Sequence, residues 1–346
     1  MAKLRFIFFP FALVYAFISE IRNFLYKIGW LKSTDFDVPV ISVGNLSMGG
    51  TGKTPHIIYI AEVLKKNNLN FATLSRGYGR KTKGFLEVEQ NSTAENVGDE
   101  PLLFKQHFPE NTVTVCEDRV FGAIQILKKK PNTTILLDDA FQHQKIARSL
   151  NILLTDYNNL FYNDFVFPVG NLRELRKNKS RTDVIVVTKC PETISESEQQ
   201  KITQKIAPNK NQVVYFSSVI YKSLISLFNK ETLEIGSLKN KKIILVTSIA
   251  NGKNVIEFIK TENVILHHFN LKDHHNYSAN DVEIILKKYQ ELNADWIITT
   301  EKDAVKLRRF SQLKALPLYA ISIGVKFLNQ ENNFDNHVVN HVRNYS

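Results

Sequence analysis

From residue 38 onward, short runs of apolar and β-branched residues alternate with segments whose apolar positions recur every three or four residues. VPVISV (38–43) is apolar throughout and predicts a buried strand. A glycine-rich loop follows it, then a helix marked by Ile57, Ile60, Ala61 and Leu64 at i, i+3, i+4 and i+7. FATLS (71–75), TVTVC (112–116), TTILL (133–137), NILLT (151–155) and DVIVVT (183–188) continue the strands, and Val120, Ala123, Ile124 and Leu127 mark a further helix face. Strands that are apolar along their whole length belong to a parallel sheet covered on both faces. Residues 195–212 are polar and helical in character, and VVYFSSV (213–219) reads as a strand. KKIILVTSI (241–249), VILHHF (264–269) and ADWIITT (294–300) then restart the βα rhythm. Between the last two, Ser278 and Asp281 form a capping pair ahead of a stripe of Val282, Ile285, Leu286 and Tyr289.

The expected fold is therefore α/β, a parallel sheet with helices on both faces followed by a second, smaller α/β domain. The boundary is placed near residue 220, giving units 37–220 and 221–346 that face each other across a cleft, a common place for a site. Residues 1–36 stand apart. Lys3 and Arg5 precede an unbroken apolar run, FIFFPFALVYAFIS (6–19), and Glu20, Arg22 and Lys27 are then interleaved with apolar and aromatic residues. The run is shorter than the roughly 20 residues of a spanning helix. A basic-then-apolar start also fits a secretory signal, but no small-x-small cleavage site follows. The preferred reading is a helix lying in one leaflet of a membrane surface; the alternative is a helix packed on the protein's own core.

Composition adds less. Apolar residues at 43% and charged residues at 23% suit a globular chain with a sizeable core. The net charge of +11 favours phosphates, anionic lipid or nucleic acid without choosing among them. No nucleic-acid motif supports the last. The two cysteines, Cys116 and Cys190, lie far apart and form neither a disulfide framework nor a metal pattern.

The strongest chemical signal is Ser47-Met48-Gly49-Gly50-Thr51-Gly52-Lys53-Thr54, set between a strand and a helix. Glycines let backbone N–H groups turn inward around phosphate oxygens, Lys53 reaches the outer phosphates and Thr54 ligates Mg²⁺. Pro55 is tolerated because the first helical turn has no partner for an N–H there. Ser47 departs from GxxxxGK[ST], which has Gly at that position. A second signal is the apolar strand ending in Asp138 and Asp139, where nucleotide-binding proteins of this kind position Mg²⁺. The fold expectation sharpens to a P-loop NTPase-like sheet that binds ATP and Mg²⁺. Asp99 and Glu100, between Gly98 and Pro101, read as a turn from spacing alone, or as a base near an acceptor hydroxyl. Asp273-His274-His275 reads as a metal site, a base-orienting dyad or a polar loop. Arg76, Arg80 and Lys81, and Arg173 and Arg176, are basic loop residues suited to phosphate oxygens.

Taken together these segments resemble the tetraacyldisaccharide 4′-kinase family over nearly the whole chain. The matching motifs, in order, are SVGNLSMGGTGKTP (42–55), LSRGYGRK (74–81), VGDEP (97–101), LLDDAFQHQ (136–144), GNLRE (170–174), DHHNY (273–277) and TTEKDAVKL (299–307). The Ser47 departure disappears in this comparison, whereas Ala140 stands where the family usually has Gly. The resemblance implies transfer of the γ-phosphoryl group of ATP to the 4′-hydroxyl of tetraacyldisaccharide 1-phosphate, giving lipid IVA in lipid A biosynthesis. It implies Mg²⁺, the cytoplasmic face of a Gram-negative inner membrane, and no obligate protein partner. It makes Asp99 the base with His274 as its dyad partner and assigns Lys53 and Thr54 to phosphate and Mg²⁺. Asp138, Asp139 and His143 match the acidic strand end and its neighbour, Arg173 and Glu174 a further active-site pair, and Arg76 a basic loop; Arg76, Asp99, Glu100 and His143 are the expected substrate contacts. Closure of the cleft is expected to carry Asp273 and His274 into the site. The competing functions are a GTPase or regulatory ATPase, or a membrane-associated scaffold that binds ATP. Thr188-Lys189-Cys190-Pro191 lacks the Asp of the guanine motif, which weighs against the first.

Overall fold

The computed structural model describes residues 5–229, 231–250, 252–328 and 331–345. The first part of the chain contains α1 (Phe9–Lys27), β1 (Val40–Asn45), α2 (Lys53–Lys66), β2 (Phe71–Ser75), β3 (Leu86–Glu87), α3 (Asp99–His107), β4 (Thr112–Val115), α4 (Arg119–Lys129), β5 (Thr134–Asp138), β6 (Leu150–Asp156), β7 (Val184–Thr188) and α5 (Glu196–Ile206). It is followed by β8 (Val213–Ser226), β9 (Thr232–Glu234), β10 (Lys242–Thr247), α6 (Lys253–Lys260), β11 (Val264–Asn270), α7 (Ala279–Glu291), β12 (Trp296–Thr300), α8 (Glu301–Leu307), β13 (Leu318–Phe327) and α9 (Glu331–Arg343). The strands expected from continuous apolar runs form as buried strands in β1, β2, β4, β5, β6 and β7. The capping box at Ser278 and Asp281 also forms, and Val282 and Ile285 are buried behind it. β13 and α9 carry patterns that the sequence reading left unassigned.

Among the described residues the strands join one sheet in the order β11-β10-β12-β13-β8-β7-β6-β1-β5-β2-β4-β3, with β9 paired to β8. The run from β8 to β4 is parallel, as is the run from β11 to β13. The two parallel runs meet antiparallel. Residues 213–216 of β8 pair with β7, and the rest of the strand, from Ser217 to Ser226, pairs antiparallel with β13. β8 therefore leaves the carboxyl edge of the first run, and β13 returns toward it. The carboxyl ends of β10 and β12 thus face those of β1 and β5. Residue 220 lies inside this shared strand, where Ile220 pairs with Gly324. The last helix also returns to the first part of the chain: Phe334 and Val338 of α9 are buried in one cluster with Ile57 and Tyr59, and Tyr59 Oη donates to Asp335 Oδ1 at 2.8 Å.

α1 buries little of itself. Ala12 and Ala16 face the body, while Phe11, Leu13, Val14, Phe17 and Ile18 are exposed. The helical stretch Phe6–Lys27, 22 residues, is long and apolar enough to cross a membrane by length and composition. Its polar end is tied down: Asn23 Nδ2 donates to Glu174 Oε2 at 3.1 Å, and Glu20 meets Lys177 at 2.6 Å.

Gly44 marks where β1 touches the turn after β5. A Cβ placed there would lie 2.6 Å from Phe141 Cβ and 2.9 Å from its backbone nitrogen. Gly44→Ala should therefore destabilise the fold by about 1–3 kcal/mol, read as a lowered melting temperature; an unchanged melting curve would show that β1 has room to shift.

Candidate active site

The loop after β1 is shaped by two glycines with left-handed backbones, Gly49 (φ +118°) and Gly52 (φ +87°). Gly52 caps α2, so the helix's first free N–H groups open onto the loop. Ser47 and Thr51 are buried, Met48 is exposed, and Lys53 and Thr54 are half-buried on the first turn. The loop is braced from behind. Asn45 Nδ2 donates to Thr51 Oγ1 at 2.9 Å, Thr188 Oγ1 to the Thr51 carbonyl at 2.9 Å, and Lys189 Nζ to the Gly50 carbonyl at 2.5 Å. His56 sits beneath it, with Nδ1 2.7 Å from the Gly52 carbonyl and Nε2 3.0 Å from Ser217 Oγ. Burial pushes the His56 pKa down to about 4, assisted by Lys189 and opposed by the Gly52 hydrogen bond. The ring is neutral, and Nδ1–H donates to Gly52. The loop is thus braced through its carbonyls and the Thr51 hydroxyl.

The acidic strand end stands beside this loop. Asp138 is buried, and its Oδ1 has no hydrogen-bond partner. Burial, with Glu100 and Asp139 nearby, holds its pKa well above the ordinary carboxylate range, against the pull of Lys53 and Arg119. An orphaned, buried carboxylate oxygen on a phosphate loop fits a divalent cation, which would supply the missing partner and charge. Among the described residues no cluster of three or more acidic, histidine or cysteine ligands forms. Asp139, at φ +47°, turns outward: Arg173 Nη1 donates to both of its oxygens at 3.0 Å, and Lys53 Nζ lies 3.7 Å away. Ala140 is fully buried, and its φ is not positive. The left-handed residue of this turn is Asp139, so a methyl group at position 140 meets no backbone penalty.

The third element comes from the opposite edge. Asp99, at the start of α3, is buried, and its Oδ2 lies 2.9 Å from His274 Nδ1. Burial pushes the Asp99 carboxyl up, but the His274 hydrogen bond and the charges of Lys302 and Lys306 outweigh it and leave the pKa below the ordinary value. His274 has a left-handed backbone (φ +58°), fixed by its N–H to the Ser248 carbonyl at 3.3 Å and to Asp273 Oδ1 at 3.1 Å. Its Nε2 faces Lys302 Nζ at 3.0 Å. An ammonium at that distance needs a lone pair, so the imidazole here is neutral with its proton on Nδ1, donated to Asp99. The Asp99 hydrogen bond pulls the His274 pKa above its ordinary value, against burial and Lys302. A second proton on Nε2 would therefore turn Lys302 toward Glu100 and Asp273, which lie 3.7 and 3.6 Å from Nζ.

The family model described as tetraacyldisaccharide-1-P 4′-kinase (LpxK) matches residues 4–343. The chain belongs to the tetraacyldisaccharide 4′-kinase family. A relative of that name from Flavobacterium johnsoniae is 43% identical over 99% of this chain and 98% of its own length. One from Bacteroides thetaiotaomicron is 38% identical over 97% and 92%. A crystal structure of LpxK from Aquifex aeolicus in complex with ATP aligns at a TM-score of 0.78 and 30% identity, over 98% of this chain and 99% of that one.

With the family in view, the residues named from sequence divide. Lys53, Asp139 and Arg173 meet beside the phosphate loop, and Asp99, Glu100, Asp273 and His274 meet around Lys302. Arg76 is exposed on the loop after β2, close enough to Arg119 for their charges to interact. His143 is half-buried, with Nε2 3.3 Å from the Glu117 carbonyl and its buried Nδ1 unpartnered. Glu174 is aimed away from the phosphate loop. It is buried among Asn23, Asn178 and Arg181, whose Nη2 lies 2.5 Å from Oε2. It joins α1 to the GNLRE segment. The sequence reading missed Lys302, Lys306 and Arg119. Lys306 Nζ donates to Ser248 Oγ at 2.7 Å and lies 3.9 Å from Asp99 Oδ2. Arg119 is buried at the start of α4, and burial lowers its pKa to about 10 against the pull of Asp138 and Asp139. Lys302 and Lys306 lie in TTEKDAVKL, so the motif pointed at them, but only the folded chain gives them a partner. Lys189, in the segment closest to a guanine motif, is occupied by Gly50 and by Asp156 at 2.7 Å.

Lys302 is among the charges that keep the Asp99 pKa down. Its removal raises that pKa, and the base role proposed below for Asp99 requires the ionised carboxylate. In Lys302→Met the acidic limb of the kcat/KM profile should therefore move to higher pH, with partial restoration in Lys302→Arg. A profile that keeps its limb in place would separate Lys302 from the Asp99 proton.

Proposed function

We propose that this chain transfers the γ-phosphoryl group of ATP to the 4′-hydroxyl of tetraacyldisaccharide 1-phosphate at the cytoplasmic face of an inner membrane. One observation carries the residue-level reading: Asp99 and His274, from opposite edges of the sheet, hydrogen-bond at 2.9 Å. Glu100, the next residue, lies near enough to Asp138 to raise its pKa. The dyad and the phosphate loop therefore belong to one site.

Lys53 and the N–H groups at the start of α2 bind the triphosphate, and Thr54 and Asp138 would hold a divalent cation, which would supply neutralising charge to the outer phosphates. Arg173, released from Asp139 by the anionic substrate, adds positive charge to the transferring group. Asp99 accepts the proton of the sugar hydroxyl. A carboxyl held below its ordinary range is a weak acceptor, but phosphoryl transfer through a loose transition state removes that proton late. His274 orients Asp99 through Nδ1–H, while Lys302 fixes the tautomer from the other side. Arg76, Glu100 and His143 line the acceptor side, and Glu174 acts through the segment that carries Arg173.

The units 37–220 and 221–346 work as two jaws hinged on β8, with α9 reaching back across the hinge. The exposed apolar side of α1 lies in the membrane, which explains how a kinase reaches an acceptor held in the bilayer by four acyl chains. The tie between Asn23 and Glu174 supports a helix lying along the surface, body attached.

Purified chain incubated with Mg²⁺, labelled ATP and the disaccharide 1-phosphate lipid should place a second phosphate on the lipid. Asp99→Asn should reduce kcat by about 10²–10⁴-fold while ATP affinity is retained, and Lys53→Ala should weaken ATP binding itself. Full turnover in Asp99→Asn would remove Asp99 from the base role, and a wild-type chain without lipid phosphorylation would sink the function.

A further inference from the structure

Beside α1, residues 164–170 form a tight loop with two outward-facing aromatic tips. Phe165 and Phe167 are 47% and 45% exposed, while Val166 and Val169 are buried beneath them. Each exposed ring meets the N-terminal stretch edge-on: Phe165 packs on Phe6 at 5.7 Å, and Phe167 on Tyr15 at 6.1 Å. The apolar outer surface of α1 thus continues onto a part of the chain far away in sequence.

The loop is held rigidly in this position. Asp164 Oδ1 accepts the Phe165 N–H at 2.8 Å and the Asn171 N–H at 3.2 Å, and a Cβ on Gly170 would lie 2.2 Å from the Phe165 carbonyl oxygen. Arg176 donates to the Asp164 carbonyl through Nε and Nη2, and its guanidinium lies 5.4 Å over the Phe165 ring. Lys177 follows, 68% exposed at its side chain, and Lys205 stands 6.0 Å over Tyr162 behind the loop. Two exposed phenylalanines continuous with an apolar helix and flanked by cations match a headgroup boundary. The rings enter the acyl edge, and Arg and Lys reach anionic headgroups.

Past Gly170 the loop runs straight into the phosphate site. The Asn171 carbonyl accepts the Met48 N–H at 2.7 Å, the Arg173 N–H donates to the Leu46 carbonyl at 2.7 Å, and the Arg173 side chain holds Asp139.

We infer that residues 164–170 are a second membrane-contacting element, which inserts Phe165 and Phe167 into an anionic bilayer beside α1 and ties the phosphate-binding loop to that surface through residues 171–173. This rests on the membrane reading of α1 given above, and the test separates the two.

Full-length chain is sedimented with vesicles of phosphatidylethanolamine and phosphatidylglycerol. The F165S/F167S variant should lose partitioning by about tenfold or more, with its melting temperature and ATP affinity unchanged. Partitioning equal to wild type overturns the loop's role. A wild-type chain that does not sediment overturns the α1 reading and this one with it. Loss in F11S/F17S with none in F165S/F167S leaves α1 as the anchor and overturns the loop alone. A lipid-free dimer that F165S/F167S dissociates assigns the patch to a second copy of the chain and overturns the bilayer. Should the serine pair fail to fold, Phe167→Trp reads the same contact. Its emission should shift to the blue on vesicle addition, and an unshifted spectrum overturns the proposal.

Discussion

The antiparallel pairing of β8 with β13 is the constraint on which the site depends. β8 is one continuous strand, but it changes partner at Ser217, from parallel β7 to antiparallel β13. A parallel sheet gathers its loops at its carboxyl edge. Joining two such sheets antiparallel through a shared strand makes those edges confront each other. Asp99 near one edge and His274 near the other then lie within hydrogen-bond distance, although 175 residues separate them in sequence. The same strand supplies Ser217 to the buried His56 under the phosphate loop, so the joint and the loop share one support.

Between those edges the charges are arranged in opposition. Asp138, Asp139, Asp99 and Glu100 would repel one another in a low-dielectric cleft, and each has a cation within reach: Arg119, Lys53, Arg173, Lys302 or Lys306. Asp138 is the exception in the direction of its shift. Burial and its acidic neighbours overcome Lys53 and Arg119 and push its pKa up, whereas Asp99 is drawn below its ordinary value despite being buried. Two carboxylates in one site are thereby shifted in opposite directions, as the roles proposed for them, cation ligand and base, require.

The GNLRE segment connects these charges to the outside. Arg173 points inward to Asp139, and the adjacent Glu174 points to Asn23 on α1. Two neighbouring residues thus face the phosphate loop and the apolar helix. One short segment thereby links the phosphate loop to the apolar helix.

Local information was enough for much of this. Continuous apolar runs identified the buried strands, because a strand covered on both faces has no position where a polar side chain is cheap. The glycine loop, its lysine and the Asp138-Asp139 strand end were legible because their chemistry uses neighbours in sequence. The N-terminal apolar run was legible for the same reason. Tertiary structure decided the rest. Asp99 read as a turn by spacing and His274 as a metal site, a dyad or a polar loop, and only the facing of two sheet edges joins them. Lys302, Lys306 and Arg119 are ordinary charges in sequence, given meaning by carboxylates that folding brings alongside. Glu174 shared a motif with Arg173 but not a direction, since one side chain meets Asn23 and the other Asp139. The change of partner along β8 at Ser217 was not legible, because hydrogen-bond pairing between distant strands leaves no mark on the composition of either.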